Sequence, residues 1–179
     1  GNTLTKKEKE ITKANKNSGF SNNQQVIAFV KDLYADYDIY DNYLKFFDNY
    51  TLEQLNTIPA GMSNNLIWNL GHVVVSQQKL VYALSGLPML IPDSLFENYQ
   101  NGSQPDGKTS QAEVDEIKQL LLEMVEKTKV DFEAGIFKEF HPYQTKTGFY
   151  LGTWKEAMEF NNYHEGIHLG IMMSIKKYI

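Results

Sequence analysis

Apolar residues recur at every third or fourth position along four long stretches of this chain, which is the spacing of an amphipathic helix. The stretches run from about 22 to 49, from 66 to 86, from 111 to 135 and from about 154 to 177. In the first, the apolar positions are Val26, Phe29, Val30, Leu33, Tyr37, Tyr40, Leu44 and Phe47. The second is apolar over most of its surface, as expected of a well-buried helix. The pattern therefore predicts four long helices.

Capping signals mark the ends of these stretches. SNNQ (21–24), SQAE (110–113) and TWKE (153–156) each place Ser or Thr three residues before Gln or Glu, which is the capping-box pattern at the start of a helix. Gly86, with Pro88 two residues later, is a typical helix end. These signals support the predicted boundaries.

A long connection, residues 87–109, separates the second and third helices and contains three prolines and two glycines. Connections of this length inside a compact domain are often functional or have to cross the fold. Strand alternation is limited to a short pair around 140–150. We therefore predict an all-α protein, a four-helix bundle with a long connection between helices 2 and 3. Residues 21–179 form its single domain, and residues 1–20 are a polar lead segment outside the main core.

Composition excludes several kinds of function. The chain has 179 residues, 42% hydrophobic and 22% charged, which is typical of one soluble globular domain. Its net charge of −5 without a basic block argues against a nucleic-acid or membrane partner. The chain has no cysteine, which excludes disulfides, thiolate zinc sites and cysteine nucleophiles and fits a cytoplasmic location. No apolar run reaches the roughly 18 residues that a membrane span requires.

The candidate chemistry lies in the histidines. His164 and His168 are four residues apart on the last predicted helix, so their side chains share one face and can bind one metal ion. His72 lies inside the second predicted helix, and facing helices of a bundle approach to about 8–10 Å. The three imidazoles predict a metal site whose fourth position stays open to water or substrate. The remaining histidine, His141, precedes Pro142 in a loop and is expected at the surface.

A simpler interpretation stands beside this one. A lone histidine in an apolar helix is usually a hydrogen-bonded core residue, and a pair at i and i+4 can arise by chance. Three buried imidazoles without a metal would, however, need three separate hydrogen-bonding explanations.

The segment HEGIH (164–168) also matches the H-E-x-x-H pattern of zinc proteases. Such proteases draw their third ligand from downstream, but the residues after His168, LGIMMSIKKYI, contain no His, Asp or Glu. A third ligand has to come from upstream, where His72 is the natural supplier. The protease interpretation is therefore disfavoured.

Two segments, NNLIWNLGHVVVSQQ (64–78) and FNNYHEGIHLGIM (160–172), resemble the DinB-like superfamily of metalloenzymes, also called YfiT-like. The resemblance covers about 22–177 and implies a four-helix bundle with a divalent metal, zinc or nickel, held at His72, His164 and His168. It also implies a homodimer, since dimers are common in that family. Family members with known activity include thiol-dependent S-transferases and a thiol-dependent isomerase.

A metal held by three neutral imidazoles can activate water or a thiolate and can polarise a carbonyl. Thiol transfer would require a low-molecular-weight thiol, because the chain has no cysteine. Glu165 is the candidate catalytic base; the alternatives are a solvent-side carboxylate or a partner to a neighbouring helix. Asn69 and Asn161 share faces with the ligands and could orient substrate or satisfy polar core groups.

Two hypotheses follow from these residues. The first is a metal-dependent enzyme acting on a small-molecule substrate, by thiol transfer or hydrolysis. The second is a non-catalytic helical module in which the metal is structural or a pocket binds a ligand. Gly71, Gly166 and Gly170 are interpreted as sites of close helix contact rather than of binding.

Overall fold

The computed structural model describes residues 5–6, 19–20, 23–35 and 38–179. Within these ranges it has seven α-helices and one two-stranded antiparallel sheet, which confirms the all-α class. The strands pair Tyr143 with Leu151 and Gln144 with Tyr150, where the short strand pair is predicted. The elements are α1 (Asn23–Ala35), α2 (Asp38–Asn49), α3 (Leu52–Asn56), α4 (Leu66–Val81), a 3-10 turn (Ala83–Ser85), α5 (Asp93–Tyr99), α6 (Gln111–Glu133), β1 (Tyr143–Gln144), β2 (Tyr150–Leu151) and α7 (Trp154–Ile175).

The first predicted helix, 22–49, corresponds to α1 and α2, which lie on either side of residues 36–37. Those two residues, the predicted N-cap Ser21, and the side chains of Val30 and Leu33 lie outside the described parts of the chain. Val26 of α1 and Phe46 of α2 are buried.

Helix α4 is the buried helix that the sequence predicts. Asn65 caps its start by accepting a hydrogen bond from the Trp68 backbone N–H at 2.8 Å. Every residue of α4 is buried except Ser76 and Lys79. The helix is followed by the 3-10 turn and by Gly86, whose φ of 70° is in the left-handed region that glycine adopts at little cost. This central position lets α4 contact most other elements.

The predicted caps of α6 and α7 differ in one detail. Thr153 and Glu156 form the complete reciprocal capping box at the start of α7. Ser110 accepts from the Glu113 backbone N–H, but the Glu113 carboxylate accepts a hydrogen bond from the Tyr99 hydroxyl at 2.6 Å. The start of α6 is thereby tied to the end of α5.

Two short helices were not predicted. Helix α5 lies within the long connection, packs on α4, and buries Leu95 and Tyr99. Helix α3 spans only Leu52–Asn56 and starts with a complete capping box between Thr51 and Gln54. Both are too short to show helical periodicity in their apolar residues.

The long helices pack in a ring. Helix α4 contacts α6 and α7, and α2 contacts the same two helices from the other side. This arrangement is compatible with a four-helix bundle. The core falls into two clusters, one around Leu70, Ile117 and Met172 and one around Tyr82 and Trp154.

Phe20, the last residue of the predicted lead segment, packs on the second cluster, with its ring centroid 5.0 Å from that of Phe29 and 6.3 Å from that of Trp154. This residue of the predicted lead segment therefore contacts the second core cluster. Among the described helices, none combines the length and the apolar character needed to cross a membrane.

Candidate metal centre

The three predicted ligands meet between α4 and α7. His72 Nε2 lies 3.2 Å from His164 Nε2, and His168 Nε2 lies 3.1 Å from the same atom. All three imidazoles offer one nitrogen within 4.8 Å of the others, and in the described part of the chain this group contains no further His, Asp or Glu. The sequence prediction that His72, His164 and His168 come together is thus matched by the geometry.

The packing of two helices produces this arrangement. His164 and His168 are one turn apart on α7, and their ring centroids are 4.4 Å apart. Helix α4 packs along α7 and brings His72 to the same point from the other side. His72 and His168 are buried, with 5% and 7% of their surface exposed, and His164 is half-buried.

Each ring has a different outer contact. His72 Nδ1 donates to the Tyr99 carbonyl at 2.7 Å, and the Trp68 ring stacks on it with centroids 4.6 Å apart and planes 9° apart. His168 Nδ1 lies 2.7 Å from Asn69 Oδ1. His164 Nδ1 is buried and has no hydrogen-bond partner among the described residues, and Phe160 stacks on its ring at 6.1 Å. Two of the three rings are therefore held from behind by polar contacts.

Burial keeps these imidazoles neutral. It lowers the pKa of His72, and together with the neighbouring His72 it lowers the pKa of His164 to about 4. Burial, followed by the His164 and His72 charges, lowers the pKa of His168 to about 3. Neutral imidazole is the form that binds a metal ion, so near pH 7 all three rings are ready to do so.

The spacing of the nitrogens fits a tetrahedral metal ion. With Zn–N bonds of about 2.0–2.1 Å, neighbouring ligand nitrogens are about 3.3 Å apart. The measured 3.1 and 3.2 Å are close to that value. In addition, a single proton on His164 Nε2 can be donated to His72 or to His168 but not to both. A cation shared by the three lone pairs resolves this conflict.

Glu165, the predicted catalytic base, is fully buried on α7. Its Oε1 accepts hydrogen bonds from the Tyr40 hydroxyl and from the Asn161 side-chain amide, both at 2.9 Å. Its backbone carbonyl accepts from the Tyr43 hydroxyl. These contacts tie α7 to α2.

The remaining predicted residues divide between the site and its surroundings. Asn69 contacts a ligand directly, whereas Asn161 binds Glu165, and its Oδ1 is buried without a hydrogen-bond partner among the described residues. His141 is exposed, as predicted, and its Nε2 lies 4.0 Å from Glu139 Oε2.

The three glycines were predicted to be sites of close helix contact. A Cβ added at Gly71 would lie 2.4 Å from the Tyr99 ring, which confirms a close contact there. At Gly166 and Gly170 it would meet nothing within 4 Å, so the prediction of close contact was wrong for these two.

Two contributors to the site were missed. The Ser76 hydroxyl lies 3.3 Å from His72 Nε2, and its position four residues after His72 on the same helical face was a usable signal. The Tyr99 carbonyl is a backbone atom, 27 residues from its partner, and no sequence pattern indicates it.

The fold and this site define the class of protein: an all-helical protein with a three-histidine cluster able to hold a divalent metal ion. A model of the DinB superfamily matches residues 36–172, and the chain belongs to that superfamily. The family resemblance found in the sequence is thereby confirmed. Searches of curated proteins and of solved structures gave no match.

Proposed function

We propose that His72, His164 and His168 hold a divalent cation, zinc or nickel, and that the protein is a metal-dependent enzyme acting on a small molecule. The observation that carries this proposal is the convergence of three neutral imidazoles at Nε2 separations of 3.1 and 3.2 Å, with no fourth protein ligand among the described residues. Catalytic metal sites leave such a position for water or substrate, whereas structural sites fill it.

When bound, the cation would supply Lewis acidity and would favour the deprotonated form of water or a thiol. The residues of the chain have separate tasks. The Tyr99 carbonyl and Asn69 orient the ligand rings from behind. The Ser76 hydroxyl lies 3.3 Å from His72 Nε2 and would be a hydrogen-bonding group beside a metal ion held there.

Glu165 remains the candidate general base. Its two hydrogen bonds from α2 and α7 favour the alternative of a helix-joining carboxylate. Glu165→Gln separates these roles because it keeps an oxygen acceptor and loses the basic group. A base contributes about 10²–10⁴-fold to the rate, so a loss of that size at full metal content would support the catalytic role.

The substrate class follows from the chemistry available. No cysteine exists in the chain, so a thiol-transfer reaction would use an external low-molecular-weight thiol as cosubstrate. Hydrolysis of a small molecule is the other reaction that the site supports. We further propose a cytoplasmic homodimer without nucleic-acid or membrane partners, based on the family resemblance, the net charge of −5 and the absence of cysteine.

The first experiment is metal analysis of protein purified without chelators or metal-affinity resin. We expect about one equivalent of zinc or nickel per chain, and none in His168→Ala. Turnover of a panel of electrophiles with different thiols then tests catalysis. An absence of metal in the wild-type protein would contradict the proposed site, and metal without any turnover would favour a non-catalytic role.

A structural metal is the second candidate, because His72 and His168 are almost fully buried. Replacement of the metal with Co²⁺ distinguishes the two. An open fourth position predicts that added thiol or azide changes the visible cobalt spectrum. An unchanged spectrum would support a closed, structural site.

A further inference from the structure

Asn69 lies on α4 and is completely buried. Its side-chain amide nitrogen lies 3.0 Å from Asn64 Oδ1 and 2.7 Å from the Asn65 carbonyl oxygen. A carbonyl oxygen can only accept, so the NH₂ group of Asn69 has to face it. The flipped amide would place two oxygens against each other at 2.7 Å. The orientation of the Asn69 side chain is therefore fixed by its own helix start.

With the amide so oriented, Oδ1 of Asn69 points at His168 Nδ1 from 2.7 Å. Because that oxygen also only accepts, the neutral His168 ring carries its proton on Nδ1 and keeps a lone pair on Nε2. His72 has the same protonation pattern, since its Nδ1 faces the Tyr99 carbonyl. Both lone pairs then lie at the point where the three Nε2 atoms meet.

We propose that Asn69 is a positioning residue, which selects the Nδ1–H tautomer of His168 and aims its Nε2 lone pair at the bound cation. This inference rests on the proposed metal site, although Asn69 is not one of the proposed metal ligands. Outer partners of metal-binding histidines fix the ring orientation, and their loss typically weakens metal binding about 10–100-fold. Asn64 and Asn65, just before α4, act through Asn69 on a ligand about a hundred residues away in sequence.

The tautomer can be measured directly in the wild-type protein. Long-range ¹H–¹⁵N NMR of the histidine rings, on metal-free protein near pH 7, distinguishes Nδ1–H from Nε2–H. We expect Nδ1–H at His168. A proton on Nε2 of His168 would overturn the proposal, and this measurement requires no variant to fold.

Zinc affinity provides the second test, measured by competition with a chelating dye. We expect Asn69→Leu to bind zinc about 10–100-fold more weakly than the wild type. The matched control is Gln77→Leu, which removes two buried side-chain hydrogen bonds from the same helix, one donated to Thr128 at 3.0 Å and one accepted from Gln78 at 2.9 Å. It should lower thermal stability and leave zinc affinity unchanged.

Wild-type affinity in folded Asn69→Leu would overturn the positioning role. An equal loss of affinity in Gln77→Leu would also overturn it, because the effect would then follow stability alone. A wild-type protein that binds no zinc or nickel would instead contradict the proposed function and the alignment of the lone pair with a cation, whereas the tautomer of His168 would still decide whether Asn69 selects it.

Discussion

At the scale of single residues, the metal-binding group is a set of bases kept unprotonated by burial. A histidine whose pKa is lower in the folded state than in the unfolded chain stabilises the fold above the unfolded pKa of about 6.5. That stability is lost as the pH falls toward the folded pKa, which is about 4 for His164 and about 3 for His168.

We therefore expect the metal-free protein to lose stability steadily between about pH 6.5 and pH 4. Denaturant unfolding at several pH values measures this slope. His168→Ala should flatten it, whereas His141→Ala, at an exposed position, should not change it. An equal slope in His168→Ala would show that other groups cause the acid sensitivity.

The buried Glu165 carboxylate permits a prediction about stability. Glu165→Ala would remove the hydrogen bonds that its Oε1 accepts from the Tyr40 hydroxyl and the Asn161 amide, at about 1–3 kcal/mol each. We expect a loss of about 3 kcal/mol or more in unfolding free energy, and a smaller loss for Glu165→Gln, which retains an oxygen. The exposed Glu116→Ala is the control, with a change of at most about 0.5 kcal/mol. Equal losses for Ala and Gln would contradict this account.

At residue scale the sequence was informative about side chains and silent about backbone atoms. The three histidines could be predicted because His164 and His168 have the i,i+4 spacing of one helical face and His72 lies within a second apolar helix. Asn69 could be predicted to share a helical face with His72. The sequence did not decide whether it orients substrate or satisfies polar groups in the core. The Tyr99 carbonyl could not be found, since every residue has one and its use depends on how the chain returns to α4.

At the scale of elements, the contact between α4 and α5 determines how His72 is held. The Tyr99 ring packs directly over Gly71, its hydroxyl donates to Glu113, and its carbonyl accepts from His72. A side chain at position 71 would occupy the place of that ring. Glycine is therefore required here by the contact with the ring.

Gly71→Ala tests this contact. An added Cβ would lie 2.4 Å from Tyr99 Cδ1, so the ring has to shift, and we expect the Tyr99 carbonyl to shift with it because the ring hydroxyl is held at Glu113. Overpacking of this kind destabilises a fold by about 1–3 kcal/mol, which outweighs the gain of up to about 1 kcal/mol in helix propensity from replacing glycine with alanine. We expect lower thermal stability and weaker zinc binding, measured by melting and by dye competition.

Gly170→Ala on α7 is the matched control, because its Cβ would meet nothing within 4 Å. It should raise stability by up to about 1 kcal/mol and leave zinc binding unchanged. A stabilised Gly71→Ala with normal zinc affinity would disprove the role assigned to the contact with Tyr99.

The long helices were predictable because their periodicity extends over several turns and two of their starts carry capping signals that the structure contains. The short helices were not, because five or seven residues contain too few repeats to distinguish a helix from a loop. Helix α3 had a usable signal, since Thr51 and Gln54 have capping-box spacing. Helix α5 forms inside a proline-containing connection and packs on α4, which is a tertiary effect.

At the scale of the whole molecule, a metal that binds only the folded state should raise its stability. Binding at about a thousand times the dissociation constant adds about 4 kcal/mol. For a domain of this size each kcal/mol raises the melting temperature by about 2–4 °C. We therefore expect removal of the metal to lower it by roughly 8–16 °C.

Scanning calorimetry with and without a chelator checks this expectation. His168→Ala should melt at the same temperature in both conditions, whereas His141→Ala should behave like the wild type. An equal chelator effect in His168→Ala would place the bound metal somewhere other than the three-histidine group.

The overall architecture followed from the pattern because each long helix buries one face and α4 buries nearly all of its surface. The packing of α2 and α4 on both α6 and α7 is compatible with the predicted bundle. Which helix faces which could not be derived, since several pairings of amphipathic helices bury similar area.

The two halves of the histidine group are separated by 92 residues of chain, between His72 and His164. The pair on α7 can form as soon as that helix does, but the third nitrogen arrives only after α4 has docked against it. The complete three-nitrogen site therefore exists only after these two helices have packed together, and we expect tight metal binding to follow that step. Metal present during refolding should therefore lower the unfolding rate and leave the folding rate nearly unchanged.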